Sequence, residues 1–326
     1  MARKKRSKKG IIQRILSFKK TILLVILLLG AFFNKEALLQ FIPKEFHEIL
    51  FPDTRTSPPN DETHGHDLGN YPDQLKIITW NLNNFGKSKN DKEIYFIAQT
   101  LSHYDIVALQ EIVTSTYGAK AIIKLLEQLN RTGNKWDYKL SDPTTGDREK
   151  ERYAYLWKTN KVKVSGRPWL VKPLEDDIAR EPYMMRFIKK NDPNMSVLCA
   201  NFHAIPEHKK PAKEIKLLRF LHQSYKKDNL VILGDFNLSQ KKEAFDGLKS
   251  YGYQPVITDE KTSLKRKMGD GGTYVSNPFD NIFIEQSAFT KRASGVVDFV
   301  AQLQSLETAR QISDHLPVWV RINRNN

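Results

Sequence analysis

From Leu75 onward, short apolar runs alternate with polar stretches, and two different spacings recur. The runs "LKIITWNL", "YDIVALQEI", "RYAYLWK", "MMRFIKK", "MSVLCANFHAI", "DNLVILGDFNL", "FDNIFIE" and "LPVWVRI" are short and rich in β-branched and aromatic residues. They predict strands. Between them, "KEIYFIAQTLSH", "AKAIIKLLEQLN" and "AKEIKLLRFLHQSYKK" repeat apolar residues three and four apart, which predicts amphipathic helices that each bury one stripe. Strand and helix alternate at first, and strands predominate toward the C-terminus. The expected class is α/β, with sheets flanked by helices.

The pattern upstream is different. Residues 1–20 carry nine Lys or Arg and no acid, and the thirteen residues Thr21 to Phe33 are uncharged and mostly apolar. That run is short for a spanning helix, which needs about 20 residues, and has the length of a secretory signal's apolar core. No small-x-small cleavage pair follows it, since Phe32, Phe33, Asn34 and Lys35 come next. The expectation is an uncleaved signal anchor, with a cleaved signal peptide and an interfacial helix as alternatives. Lys19 and Lys20 can snorkel and lengthen the segment. In either signal case the basic flank stays cytoplasmic and the rest is exported. Residues 34–71, with "FPDTRTSPPNDETHGHDLGNYPD", have no sustained period and many Pro, Asp, Asn and Gly, the composition of a linker. His64 and His66 lie in it without a third ligand and read as solvated side chains rather than a metal site. Residues 72–326 are expected to form the folded domain.

Charge and cysteine content narrow the classes. The formal net charge of +15 falls to +6 once the nine basic residues of the N-terminus are set aside, so the chain's basicity alone is weak evidence for a nucleic-acid partner. Cys199 is the single cysteine, which excludes an intramolecular disulfide and a cysteine-based zinc site. Its strand context reads as a small buried hydrophobe.

Chemistry concentrates where the strands stop. Asn81 closes "ITWN", Glu111 closes "DIVALQE" and His203 closes "VLCANFH"; Asp235 and Asn237 follow "VILG", Asp280 opens "FDNIFI", and Asp314 and His315 open the last strand. Side chains at strand ends project from a rigid frame, which suits a preorganised site. Carboxylates with an asparagine amide are hard oxygen ligands suited to Mg²⁺, Mn²⁺ or Ca²⁺, and histidines near acids suit proton transfer at neutral pH. Hydrolysis of a phosphate ester needs this set: a cation against the non-bridging oxygens, a base for water and an acid for the leaving oxygen. Singly, each has a bland reading: a solvated strand end for Glu111, a tight turn for "GDFN", a satisfied core histidine for His203, a cap or ion pair for "SDH". Together, so many polar residues at strand termini of one domain argue for a common site.

The motifs "WNLNNFG", "LQEI", "KERYAYLWK", "DDIAREPYMMRF", "NFHAIP", "LGDFNLS", "FDNIFI" and "SDHLPV" follow one another in an order that covers nearly the whole domain. In this order the chain resembles the endonuclease/exonuclease/phosphatase superfamily, and within it the deoxyribonuclease I group. The resemblance implies a four-layer αββα sandwich of two packed mixed β-sheets flanked by helices. It implies Glu111 and Asn81 as metal ligands, with Asp314 completing the metal or phosphate environment. Asp235 and Asn237 would orient and polarise the scissile phosphate. His203, held by Glu151, resembles the acid for the leaving oxygen, and His315, held by Asp280, the base for water, although these residues alone allow either assignment. Arg180 matches an arginine that contacts DNA phosphate, and Arg152 and Tyr153 belong to the same substrate-side motif. The ion implied is Mg²⁺ or Mn²⁺, with Ca²⁺ as a structural or activating ion.

The sequence also departs from that pattern. Asn83 and Val113 stand where the group has arginines that enter the DNA minor groove, and neither offers a charged fork. A disulfide after "GDFN" is impossible. The basic, Gly-rich "SLKRKMGDGGTYVSN" is a candidate for replacement phosphate contacts. The expected protein is an exported, membrane-tethered phosphodiesterase cutting DNA with little sequence preference, a monomer without a protein partner. The alternatives are a sphingomyelinase-type lipid phosphodiesterase or inositol-phosphate phosphatase, and a binding module that has lost its chemistry.

Overall fold

The computed structural model describes residues 65–66, 69–146 and 150–325. Among them, hydrogen bonding gathers twelve strands into two sheets of six. The first contains β1 (Leu75–Phe85), β2 (Ile106–Ile112), β3 (Trp136–Leu140), β4 (Arg152–Lys158), β11 (Phe289–Val296) and β12 (Val318–Arg324), in the order β11-β12-β1-β2-β4-β3. The second contains β5 (Val162–Leu170), β6 (Tyr183–Lys189), β7 (Asp192–His203), β8 (Leu230–Asp235), β9 (Tyr253–Pro255) and β10 (Asp280–Glu285), in the order β5-β6-β7-β8-β10-β9. Only β1 with β2 and β7 with β8 pair in parallel; the other pairs are antiparallel. All eight strands expected from apolar runs are present. The four that were not expected, β3, β5, β9 and β11, are the four sheet edges.

Helices cover the outer faces. On the first sheet lie α1 (Asp91–Leu101) and α2 (Thr116–Asn130), with α6 (Phe299–Leu303) and α7 (Leu306–Ile312). Asn90 starts α1 by accepting from the backbone of Lys92 and Glu93, while the Glu93 carboxylate returns to the Asn90 N–H, a reciprocal cap that satisfies otherwise orphaned donors. Ile94, Ile97, Ala98 and Leu101 then fall on one buried stripe. The second sheet carries α3 (Ala212–Leu217), α4 (Arg219–Ser224) and α5 (Asp246–Lys249). The single helix expected over "AKEIKLLRFLHQSYKK" is two short ones meeting at Leu218, which keeps helical angles.

Three apolar cores match four layers: one under each helical layer and a third between the sheets. The inter-sheet core holds Ile77, Tyr153, Tyr155, Val197, Leu233, Ile282 and Cys199, so the lone thiol is the buried hydrophobe its strand suggested. Burial pushes that thiol's pKa up, away from reactivity. Toward one end of this core a polar lock joins the sheets. Gln110 of β2 donates to the Thr79 hydroxyl at 2.9 Å and to Asn201 of β7 at 2.6 Å, and Asn201 donates to the Leu109 carbonyl at 3.1 Å. All three side chains are buried, so these bonds fix the register of one sheet against the other.

No helix among the described residues is long and apolar enough to cross a membrane. The basic and apolar N-terminal segments, most of the linker and His64 lie outside the described residues. His66 packs edge-on against the His103 ring, centroids 5.0 Å apart.

Candidate active site

Strand direction explains why residues spread along the chain meet. β1, β2, β7 and β8 reach the same edge of the sandwich with their C-terminal ends, and β4, β10 and β12, antiparallel to their neighbours, begin there. Asn81, Glu111, His203 and Asp235 therefore leave strand ends, while Glu151, Asp280, Asp314 and His315 stand at or just before strand beginnings. Register completes the convergence: His203 lies opposite Asp235, and Asp235 opposite Asp280. Gly234 makes the close approach possible, because a Cβ there would stand 1.9 Å from the Phe202 carbonyl oxygen.

Two imidazole–carboxylate pairs face one buried carboxylate. His203 Nδ1 bonds Glu151 Oε2 at 2.8 Å, and His315 Nδ1 bonds Asp280 Oδ2 at 2.8 Å. Their Nε2 atoms lie 3.4 Å and 3.7 Å from Asp235 Oδ2. Asp235 also accepts from the Asn237 backbone N–H at 2.8 Å and from the Asn81 amide at 3.0 Å. Burial pushes Asp235 upward, but the two histidines and these bonds outweigh it and hold the carboxyl below its ordinary value. For His203, burial and Arg180 press the pKa down, yet Glu151 and Asp235 carry it above 6.5. Burial opposes His315 too, and Asp280, Asp235 and Asp314 lift it further above 6.5. Each imidazole presents Nε2 to the same spot with its Nδ1 tautomer fixed from behind. The Asn237 amide lies 3.3 Å from His203 Nε2 and donates to the Ala204 carbonyl at 3.0 Å.

The second group of predicted residues lies alongside. Asn81 donates to Glu111 Oε1 at 2.9 Å, and the Asn84 N–H donates to Glu111 Oε2 at 2.9 Å. The Glu111 N–H in turn donates to Glu151 Oε1 at 3.1 Å. Asn83, Asn84, Glu111 and Asn237 all hold positive φ, at 44°, 55°, 60° and 49°. Such backbone is costly for glutamate, and its concentration here marks a site whose surroundings enforce it. Asp314 is gripped by Arg310 at 3.5 Å and, through its carbonyl, by the Leu264 N–H at 2.7 Å.

Whether these residues suit a divalent ion can be judged from their donors. Each Glu111 oxygen accepts one hydrogen bond, which leaves a lone pair on both, and Glu111 lines an open cleft of 380 Å³ with Asn84, Val113, Lys150, Glu151 and Arg180. The Asn81 amide N–H₂ sits between the Glu111 and Asp235 carboxylates, where a positive charge is favoured. The hard oxygens that fit Mg²⁺ or Mn²⁺ here are those of Glu111, since the Asn81 amide oxygen already accepts the Asn83 N–H at 3.0 Å. Asp235, Asp280 and His315 also bring ligand atoms within 4.8 Å of one another. There, however, Asp280 Oδ2 already accepts from both His315 and the Thr262 hydroxyl, so proton handling is the better use of that trio.

The substrate-side residues divide. Arg180 is 6% exposed; it donates to the carbonyls of His203, at 3.0 Å, and Ala204, lies 3.5 Å from Glu151, and still borders the cleft. Arg152 is half-buried and donates to the Ser141 carbonyl at 2.6 Å. Tyr153 corrects the expectation: it is fully buried between the sheets, donating to the Arg180 carbonyl at 3.2 Å and accepting from the His203 N–H at 3.1 Å. It braces two site residues and does not face the cleft. Two hydroxyls were missed. Thr262 donates to Asp280 Oδ2 at 2.7 Å, and Ser313 donates to the Asn81 carbonyl at 2.6 Å while accepting from the His315 N–H at 3.0 Å.

Comparison with known proteins agrees with this architecture. Residues 78–315 match the Endonuclease/Exonuclease/phosphatase family, and the chain belongs to it. Deoxyribonuclease-1-like 1 of Sus scrofa is 30% identical over 242 residues, which cover 70% of this chain and 74% of that protein. Deoxyribonuclease-1 of Bos taurus is 27% identical over 273 residues, 76% of this chain and 92% of that protein. Among solved structures, an endonuclease/exonuclease/phosphatase family protein from Bacteroides thetaiotaomicron superposes with a TM-score of 0.57 at 18% identity, over 76% of this chain and 97% of that one, and so shares the fold. The family and the four-layer fold implied by the motifs are thus borne out. The chain is of the hydrolase family acting on phosphoester bonds.

Proposed function

We propose that this chain is a divalent-metal-dependent phosphodiesterase that cuts DNA with little sequence preference, outside the cytoplasm and tethered through its N-terminal apolar segment. The observation that carries the reading is the pair of carboxylate-backed imidazoles, whose Nε2 atoms both reach Asp235 Oδ2, at 3.4 Å and 3.7 Å. In-line hydrolysis needs two proton transfers on opposite faces of phosphorus. One imidazole takes a proton from the attacking water as the new P–O bond forms; the other gives a proton to the ribose oxygen as the old bond breaks. Asn237 and Arg180 orient the phosphate. Glu111, with Asn81 and Asp314, would hold Mg²⁺ or Mn²⁺, which supplies positive charge against the non-bridging oxygens.

DNA is favoured over a lipid headgroup by the "KERYAYLWK" and "AREPYMMRF" motifs, by the deoxyribonuclease names of both relatives, and by basic side chains on two sides of the site. Lys87 and Lys120 stand 5.4 Å and 5.9 Å from the exposed Tyr117 ring, beside a loop whose Gly86 leaves no room for a Cβ against cleft residue Val113. On another side, the segment with Lys265, Arg266 and Lys267 is pinned to Asp314 and His315 through Leu264 and Ser263. Lysines around an aromatic ring suit a polynucleotide backbone and its bases.

Parallel assays of supercoiled plasmid and sphingomyelin, with Mg²⁺ and with chelator, test the reading. Nicking of plasmid in Mg²⁺ alone is expected. Turnover of sphingomyelin without plasmid cleavage moves the assignment to lipid, and no turnover of any phosphodiester leaves a binding module. Membrane fractionation with N-terminal sequencing tests the tether, with Met1 or Ala2 expected at the start of the membrane-bound form.

A further inference from the structure

Glu214 is a buried carboxylate with no part in the chemistry above. It lies in α3, in the helical layer of the second sheet, and is 3% exposed. Its two oxygens hold two separate stretches of chain: Oε1 accepts the Ala179 N–H at 2.8 Å, and Oε2 accepts the Ile205 N–H at 2.8 Å. Each stretch carries a site residue. Ala179 immediately precedes Arg180, and Ile205 stands between the His203–Ala204 pair and Pro206, which lines the cleft. The Arg180 guanidinium closes the ring from inside, donating through Nε to the His203 carbonyl at 3.0 Å and through Nη2 to the Ala204 carbonyl. The Asn237 amide donates to that same Ala204 carbonyl. Burial raises the Glu214 pKa, and the two backbone N–H groups oppose this together with the charges of Arg180 and His203. Two backbone donors could be satisfied by neutral acceptors, which cost less to bury. The charge has its use in the field that it puts on Arg180.

We propose that Glu214 is a positioning residue: it aligns Arg180 for the phosphate group in the cleft by fixing, from behind, the backbone on which Arg180 stands and the carbonyls that its guanidinium grips. This rests on the phosphodiesterase reading of the site. Arg180 Nε and Nη2 are held by carbonyls and Nη1 lies 3.5 Å from Glu151, so the orientation of the guanidinium depends on residues 203–205. With Ile205 released, those carbonyls can turn. With Ala179 released, the arginine's own Cα can shift. Either change moves a charged fork relative to the phosphorus, where an error of about 1 Å costs on the order of 10²-fold in rate.

Glu214→Gln is the direct test. Gln keeps the volume and one acceptor but turns an amide N–H₂ toward one of the two backbone donors, so one grip and the charge are lost together. Two readouts on the full chain separate alignment from folding. The first does not depend on turnover: solvent exchange of the Arg180 Nε–H, followed by NMR and assigned by its absence in Arg180→Met, should be about tenfold or more faster in Glu214→Gln than in the wild type. The second is a double-mutant cycle in plasmid nicking with Mg²⁺. Glu214→Gln alone should lower kcat/KM about 10- to 100-fold. Added to Arg180→Met, it should cost less than about threefold more, because the group that it aligns is already gone. A purely structural role leaves the Nε–H exchange unchanged and makes the two losses multiply in the double variant; either result overturns the proposal. A wild type that nicks no plasmid refutes the nuclease reading and leaves the exchange comparison to decide the role of Glu214. Where Glu214→Gln loses its cooperative urea transition, Glu214→Asp, which keeps both acceptors and the charge on a shorter stem, carries the same two comparisons with smaller changes of the same sign.

Discussion

The two imidazole–carboxylate pairs share a plan and differ in company. His203 ends β7 in one sheet and is backed by Glu151 from the other; His315 precedes β12 in the first sheet and is backed by Asp280 from the second. Both contacts are 2.8 Å. Glu151 also lies 3.5 Å from the Arg180 guanidinium, whereas Asp280 shares its oxygen with the neutral Thr262 hydroxyl. Both histidines are buried, and both are lifted, but Arg180 presses His203 down whereas a further carboxylate, Asp314, adds to the lift of His315. Equal hydrogen bonds therefore do not give equal proton affinities; the third group sets the difference.

The broadest challenge treats both pairs together. Chelation should lower plasmid cleavage by about 10³-fold or more, with Mg²⁺ or Mn²⁺ restoring it, because charge on the phosphate is then unopposed. His203→Ala and His315→Ala should each cost about 10² to 10⁴ in rate, and near-normal nicking by either would remove that pair from the chemistry. The contrast between the pairs sharpens with NMR titration of the two rings. Asp280→Asn should bring His315 down toward 6.5, whereas Arg180→Met should raise His203 further. A gentler effect appears in stability. His315 binds its proton more tightly in the folded chain, so that contribution is complete below pH 6.5 and fades as pH rises through the elevated folded value. Urea melts between about pH 6 and 9 should show this decline, flattened in Asp280→Asn. Thr262→Val should cost about 2 to 4 kcal/mol, measurable as a shift in urea midpoint, because the hydroxyl donates to Asp280 Oδ2 and accepts the Phe279 and Asp280 N–H groups.

Apolar runs revealed the inner strands and concealed the outer ones. Each interior strand is covered on both faces, so "IVALQEI" and "LVILGD" are almost wholly buried. An edge strand is not: β11 has three exposed residues after Phe289, β3 alternates, and β5 contains Gly166 and Pro168 at an irregular pairing. In the site, ionisable groups at strand ends were legible because charge beside a buried strand needs a reason. Tyr153 was misjudged because adjacent residues of a strand face opposite sides, so Arg152 and Tyr153 could not both line one surface. Thr262 carried no signal, since a lone hydroxyl in a loop looks the same whether or not it steers a carboxylate, and Ser313 stood inside "SDHLPV" without a role of its own.

Because each catalytic pair is half in one sheet and half in the other, the reaction centre exists only while the layers touch. Mild denaturant that lets them part would silence both histidines at once, before helices or strands melt. The same parting would bare Cys199, whose thiol sits in the seam between the layers. Lost turnover and gained reactivity toward a thiol reagent would then be two readings of a single opening.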